Sequence, residues 1–286
     1  MGNSATLLDD PLSHELVVEA NIVLHSAAAS TYDSEPHFRA ESKDRVLRQL
    51  RQLVPNGGKR LLDLGCGTGF LTEIADGLFS STIGVDATPA MIDVARSKNY
   101  RSDVAFQVAD VLAVDLPADS FDMVAGYAFL HHMREPGAVI ARAAQWVRPG
   151  GVLYFDLEPN KEFWDRLHGL DTRGAYSAAI QRELRSISGQ SEAEQYGIDE
   201  ETFAAAEYSK KVTGGINVAD LRRACDMAGL VDFQPMYHWF VGEAALVGHT
   251  VGGDVETRSL VDAALQEALP LSGPLYKYVG FSARRP

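Results

Sequence analysis

Three short stretches carry the residue types and spacings most suited to chemistry. The first, Leu61-Leu62-Asp63-Leu64-Gly65-Cys66-Gly67-Thr68-Gly69, is an apolar run entering a glycine turn. Glycine permits positive φ and lets the backbone approach a ligand closely. A dinucleotide fingerprint needs glycine at position 70, where this chain has Phe70, and the Lys-Ser/Thr ending of a nucleotide P-loop is missing. Asp86 closes the second apolar run, 17 residues past Gly69, where a carboxylate can accept both hydroxyls of a ribose. Asp110 closes the third run, where an acid can accept from an adenine amino group. With Asp63 just before the turn, three acids at three successive strand ends suit a cationic, phosphate-free nucleoside and would repel pyrophosphate.

Further candidates lie downstream. His131 and His132 follow the fourth apolar run, and histidine is neutral enough near pH 7 to act as a general base; His132 is the favoured one. Glu158 ends the fifth run and reads either as an acid open to the substrate side or as a structural cap. Cys66 reads as a small packed residue rather than a nucleophile. Met91 has a core alternative, and Asp63 a turn-capping one. No cluster has metal-ligand spacing and no metal is expected; the one set that could meet around an ion is His131, His132 and Glu158.

These residues need elements to position them. LVVEANIVLHSAAAS and KDRVLRQLRQLV read as N-terminal helices joined at STYDSEPHF, and residues 1 to about 15 as poorly ordered. Strands are expected at 60–64, 81–86, 104–110, 121–127 and 152–158, with helices from Phe70, from Pro89 and over 137–147. Strict alternation over about 100 residues argues for an α/β fold: a doubly wound, mostly parallel seven-stranded sheet with helices on both faces. After Glu158 the rhythm breaks, and residues from about 160 to 212 read as a helical cap. NVADLRRACDMAGL resumes as a helix, VDFQPMYHWF as a strand and YKYVGFSARR as the last strand. The expected organisation is N-terminal helices covering the cofactor site (1–54), the cofactor-binding half of the core (55–158), the cap insertion (159–213), and the remaining core (214–286) with a second insertion at about 242–274.

Taken together, LLDLGCGTG, GVDATPAMIDVA, VADVLAVDLPADSFDMV, FLHHMREP and VRPGGVLYF resemble the class I S-adenosylmethionine-dependent methyltransferases. The resemblance covers roughly Arg60 to Leu157, and more loosely Asn217 to the end. It implies S-adenosyl-L-methionine as cofactor, with Gly65, Cys66 and Gly67 along its methionine part. It implies Asp86 at the ribose, Ala87 and Met91 beside the adenosine, and Asp110 with the Val111 backbone at the adenine edge. It places Tyr127 near the sulfonium and folds Tyr32 over the cofactor. His25, Phe163, Trp164, Tyr176, Tyr237, His238 and Trp239 are candidates for an acceptor pocket.

Composition narrows the acceptor. The net charge of -13 disfavours nucleic acid as main partner, and the basic residues are scattered. Two cysteines, Cys66 and Cys225, suggest a reducing compartment. No secretory signal or membrane span is visible, so a cytoplasmic monomer or homodimer is expected. The expected activity is methyl transfer to a small organic molecule. The alternatives are a non-catalytic cofactor-binding regulator or partner subunit, a protein or peptide methyltransferase, and a non-methylating reaction on the same scaffold.

Overall fold

The computed structural model describes residues 12–38, 40–171, 173–188, 192–243 and 255–286. Its strands are β1 (Gly58–Leu64), β2 (Phe79–Asp86), β3 (Asp103–Val108), β4 (Phe121–Tyr127), β5 (Val147–Pro159), β6 (Val231–Phe240) and β7 (Tyr276–Arg284). Its helices are α1 (His14–Ala28), α2 (Ala40–Leu53), α3 (Phe70–Ala75), α4 (Pro89–Ser97), α5 (Pro136–Trp146), α6 (Lys161–His168), α7 (Ala178–Ser188), α8 (Glu192–Tyr196), α9 (Glu200–Ala206), α10 (Tyr208–Lys211), α11 (Val218–Met227) and α12 (Val255–Glu267).

The strands make one sheet in the order β3-β2-β1-β4-β5-β7-β6. All pairs are parallel except those of β7, which runs antiparallel to both β5 and β6. Successive side chains of a strand point to opposite faces, and β1 serves both. Leu61 joins the core beneath α2 and α3, with Val46, Leu50, Phe70 and Leu71. Leu62 and Leu64 join the core beneath α5 and α11, with Val139, Ile140, Leu221 and Cys225. Covering both faces explains the nearly continuous apolar strands. The chain order reverses between β1 and β4, and in such sheets the crevice beyond the carboxyl ends at that point receives the ligand.

Two expected strands differ in extent. β3 stops at Val108, so Asp110 lies in the following turn rather than within the strand. β5 begins at Val147, directly where α5 ends. Near its far end the β5–β7 register shifts between Phe155 and Glu158, and Leu157 takes φ 63°. Such a bulge re-aims the side chains beside it. Asp156 and Glu158, which an unbroken strand would point to one face, therefore find separate partners.

Helices α6 to α10 fill the region between β5 and α11. Cap residues Ala193, Phe203, Ala205 and Ala206 bury against Ala20 and Leu24 of α1. α1 begins where the Ser13 hydroxyl accepts from the Leu16 amide, closing one open donor of the first turn. Residues 1–11, for which poor order is expected, lie outside the described residues, as do 244–254 of the second insertion. Among the described residues no helix is long and apolar enough to cross a membrane.

Candidate functional site

Beyond the carboxyl ends of β1, β2 and β4 lies a cavity lined by the glycine turn, the strand-end acids and α1. The turn depends on two glycines. Gly65 has φ 62°, and a Cβ on it would stand 2.0 Å from the Phe129 ring, so no side chain fits. Gly67 has φ 50°, and a Cβ there would meet only Tyr32, at 3.9 Å. Its face is left open to the cavity, under the Tyr32 ring.

The three acids differ in their surroundings. Asp86 accepts from the Gly67 amide (2.9 Å) and the Thr88 amide (2.8 Å), tying the end of β2 to the turn. Asp110 accepts from the Leu112 amide (3.0 Å) and lies 2.7 Å from Nε2 of His14, at the start of α1. Asp63 is buried. Its Oδ2 accepts from the Thr72 hydroxyl at 2.6 Å, while Oδ1 has no hydrogen-bond partner. Burial pushes its carboxyl up to about 7, against the pull of Thr72, and the charge of Asp86 adds to the rise. An orphaned carboxylate oxygen on this wall fits a cationic ligand with an amino donor.

Most of the expected cofactor residues meet here. Tyr32, Asp63, Gly65, Cys66, Gly67, Asp86, Ala87, Asp110, Val111, Tyr127 and His132 all line the cavity. Met91 does not. It is fully buried against Ala28 and Ala29 at the end of α1. Cys66 is buried, and burial raises its thiol well above the ordinary value, which disfavours the thiolate.

A second cavity of about 200 Å³ adjoins the first and shares His25, Tyr32, Phe38, Ala128 and His132 with it. The cap supplies its far wall through Trp164, Tyr196, Phe203, Glu207 and Lys210. The two histidines enter from a 3-10 turn, Leu130–His132, which follows β4. Glu158 makes that turn. Its carboxylate accepts from the amides of Phe129 (3.1 Å), Leu130 (2.9 Å) and His131 (3.0 Å), and lies 2.8 Å from His131 Nδ1. Glu158 is therefore a brace whose oxygens face the loop. His132 Nδ1 lies 2.9 Å from the Ala206 carbonyl oxygen of the cap. Carboxylates and carbonyls only accept, so both Nδ1 atoms carry the proton. Burial, then the neighbouring His131, push the His132 pKa well below the ordinary histidine range.

The cluster that could hold an ion differs from the expected one. Glu158 is committed to the loop, and the third member beside His131 and His132 is Glu207 of the cap. Glu207 Oε2 lies 3.9 Å from His131 Nε2, and Oε1 lies 3.8 Å from His132 Nδ1. Burial would raise the Glu207 carboxyl, but Lys210 and the two histidines outweigh it and hold it well below the usual range. Glu207 is one acid among many in a charged stretch, and no spacing marks it.

Of the acceptor candidates, His25 and Trp164 line the second cavity. Phe163 and Tyr176 pack with Leu167 and Leu184 inside the cap. Tyr237, His238 and Trp239 line a separate cleft beside α2 and α12. There His238 and Arg45 engage the fully buried Asp156 at 2.8 and 2.5 Å.

The sheet order and the glycine turn with its strand-end acids are similar to those of class I S-adenosylmethionine-dependent methyltransferases. Residues 62–155 match a family model described as a methyltransferase domain. The ubiquinone biosynthesis O-methyltransferase of Thiobacillus denitrificans is 35% identical over 112 residues, 38% of this chain and 48% of that protein. The enzyme of the same name from Coxiella burnetii is 31% identical over 111 residues, 38% of this chain and 47% of its own. The chain thus spans about half the length of the curated relatives it matches. Among solved structures, phosphoethanolamine N-methyltransferase 2 of Haemonchus contortus superposes with a TM-score of 0.56 at 16% identity, covering 96% of this chain and 61% of that one. An S-adenosylmethionine-dependent methyltransferase from Mesorhizobium loti gives 0.53 at 20% identity, covering 88% and 99%. Both share the fold.

Proposed function

We propose that the protein transfers a methyl group from S-adenosylmethionine to an oxygen atom of a small organic acceptor held beneath the cap. The observation that carries this reading is the pair of adjoining cavities with a common wall at His25, Tyr32, Phe38, Ala128 and His132. One is lined by the glycine turn and the acids, the other by aromatic rings and the histidine pair. The modest size of the second cavity and the net charge of -13 favour a small molecule over nucleic acid. The relatives named O-methyltransferases favour oxygen as the receiving atom.

When bound, S-adenosylmethionine supplies a methyl group on a positively charged sulfur. The residues suited to hold it are Asp86 for the ribose hydroxyls, Asp110 and the Val111 backbone for the adenine, and Gly65, Gly67 and the Asp63 carboxylate for the methionine end. The cap and α1 exclude water and fix the acceptor, and such positioning can lower a barrier by roughly 7–11 kcal/mol. His132 and His131 face the acceptor side and assist loss of its proton, a contribution of about 10²–10⁴-fold for a hydroxyl of high pKa. The test is a panel of small phenols, alcohols, amines and thiols incubated with methyl-labelled cofactor and read by mass spectrometry. A labelled O-methyl product is expected. Tight cofactor binding with no labelled product from any class would replace this reading with a binding-only role.

A further inference from the structure

We propose that His131, His132 and Glu207 form a site for one divalent transition-metal ion of the zinc type, set in the wall of the acceptor cavity. One potential ligand atom from each of the three residues lies within 4.8 Å of the others, and all three residues are buried. Two imidazoles and one carboxylate match the ligand set of open catalytic zinc centres. Zinc bonds of about 2.0–2.2 Å in a tetrahedron put donor atoms roughly 3.4 Å apart. The 3.9 Å between His131 Nε2 and Glu207 Oε2 is therefore about half an ångström from the bound spacing.

The shell behind the His131 ligand is already built. A metal-binding histidine ordinarily donates its other N–H to a carboxylate or backbone carbonyl, which fixes the tautomer and aims the lone pair. His131 Nδ1 has the Glu158 carboxylate at 2.8 Å, which leaves its Nε2 as the atom 3.9 Å from Glu207 Oε2. On His132 the nitrogen 3.8 Å from Glu207 Oε1 is Nδ1, which also has the Ala206 carbonyl at 2.9 Å, so this ring must turn or give up that bond to ligate. His25, whose ring stands edge-on 4.7 Å from that of His132, repeats the pattern with the Asn21 carbonyl at 2.9 Å. Among the described residues, Nε2 of these three histidines makes no hydrogen bond. Glu207 Oε2 is buried and likewise has no hydrogen bond. The nearest cation is Lys210, with Nζ 3.3 Å from Oε2. Lys210 offsets the carboxylate charge and is the group an arriving ion must displace.

Three protein ligands leave a coordination position for an oxygen of the acceptor. An ion there would orient a hydroxyl-bearing acceptor and lower the pKa of its hydroxyl, so the histidines would promote proton loss through the ion rather than by taking the proton themselves. That use rests on the proposed methyl transfer; binding of the ion does not.

The experiment titrates the untagged, metal-free full chain with cobalt(II) and follows its visible d–d absorption. The expected result is saturation at one ion per chain, with the strong bands of a low-coordinate nitrogen and oxygen site, displaced by zinc(II). Glu207→Gln keeps the side-chain shape and removes the anionic donor. It should weaken binding by at least the roughly 10–100-fold typical of losing a partner behind a ligand. Lys210→Met removes the competing cation and should tighten binding several-fold. Absence of the bands in the parent chain, or equal affinity in Glu207→Gln, overturns the site. If Glu207→Gln does not fold, the lysine variant decides, and unchanged affinity there overturns it. S-adenosylmethionine binding is measured on the same samples. Cofactor binding without cobalt binding overturns the metal site alone, and cobalt binding without cofactor binding overturns the methyl-transfer reading alone.

Discussion

Asp86 spends its carboxylate on two backbone amides, at Gly67 and Thr88, and retains acceptor capacity on both oxygens. A hydrogen bond to a charged group contributes about 1.5–3 kcal/mol, so Asp86→Ala should cost about 10²-fold or more in cofactor affinity. Calorimetric titration of the folded variant checks this, and unchanged affinity would remove the ribose assignment. Asp63 gives a pH signature. Its folded pKa, pushed up to about 7 by burial, exceeds the unfolded value near 4. The native state therefore holds a proton that the unfolded chain releases, and this residue's contribution to stability falls as pH rises from about 4 to about 7. A cationic ligand favours the ionised form. Affinity for S-adenosylmethionine should then climb from about pH 5 to about pH 7, by up to roughly tenfold per unit, and level off above. Asp63→Asn should flatten the climb. A parent chain whose affinity stays constant over that range would contradict the assignment.

Elements explain why the histidines stand where they do. The bulge in β5 separates Asp156 from Glu158 and delivers the latter under the turn after β4. Four donors converge on that buried carboxylate, three of them amides of consecutive residues. Glu158→Gln replaces one acceptor oxygen with an NH₂ facing those donors. Breaking a buried charged network commonly costs about 3–5 kcal/mol, so thermal unfolding should shift down by an amount in that range, with the His131 ring loosened. A loss below about 1 kcal/mol would show that the turn does not depend on Glu158. Little of this was legible in the sequence. The strands from 60 to 158 were, because their apolar runs end at glycines and acids that have few other uses. The role of Glu158 was not, because alternation along a strand cannot reveal a bulge. Asp110 was misplaced by two residues for a related reason: VAFQVAD alternates through Ala109, but pairing with β2 ends at Val108. Glu207, His14 and the pairing of Arg45 and His238 with Asp156 were missed because each meets its partner across more than seventy residues of chain, and single-sequence periodicity carries no such information.

At the scale of the molecule, α1 or the joint after it lines both cavities and the cap lines the second, and α1 and the cap are fastened to one another. Ala20 and Leu24 bury against Phe203 and Ala206. The Tyr196 hydroxyl donates to Glu35 at 3.0 Å, bridging cap and N-terminal joint. The Asn21 amide donates to the His132 carbonyl at 3.2 Å, and His14 reaches Asp110 at 2.7 Å. The apolar cluster joining α1 to the cap consists largely of alanines, with Leu24 and Phe203 as its large buried members, far less than the sheet cores contain. Segments with few buried apolar contacts open at low free-energy cost, so α1 and the cap are the parts expected to move. Binding of cofactor and acceptor adds contacts only to the closed arrangement and shifts the population toward it. Hydrogen exchange should show slower amide exchange in His14–Ala28, in the joint around Tyr32 and in Glu200–Lys211 when both ligands are present, with the sheet strands unchanged. Tyr196→Phe, which removes the bridge to Glu35, should speed exchange in the same segments of the free protein without altering that of β1 or β4. Equal protection of Glu200–Lys211 in the free and the fully bound protein would make the cap a fixed wall of the acceptor cavity, and exchange of ligands would then have to occur through α1 alone.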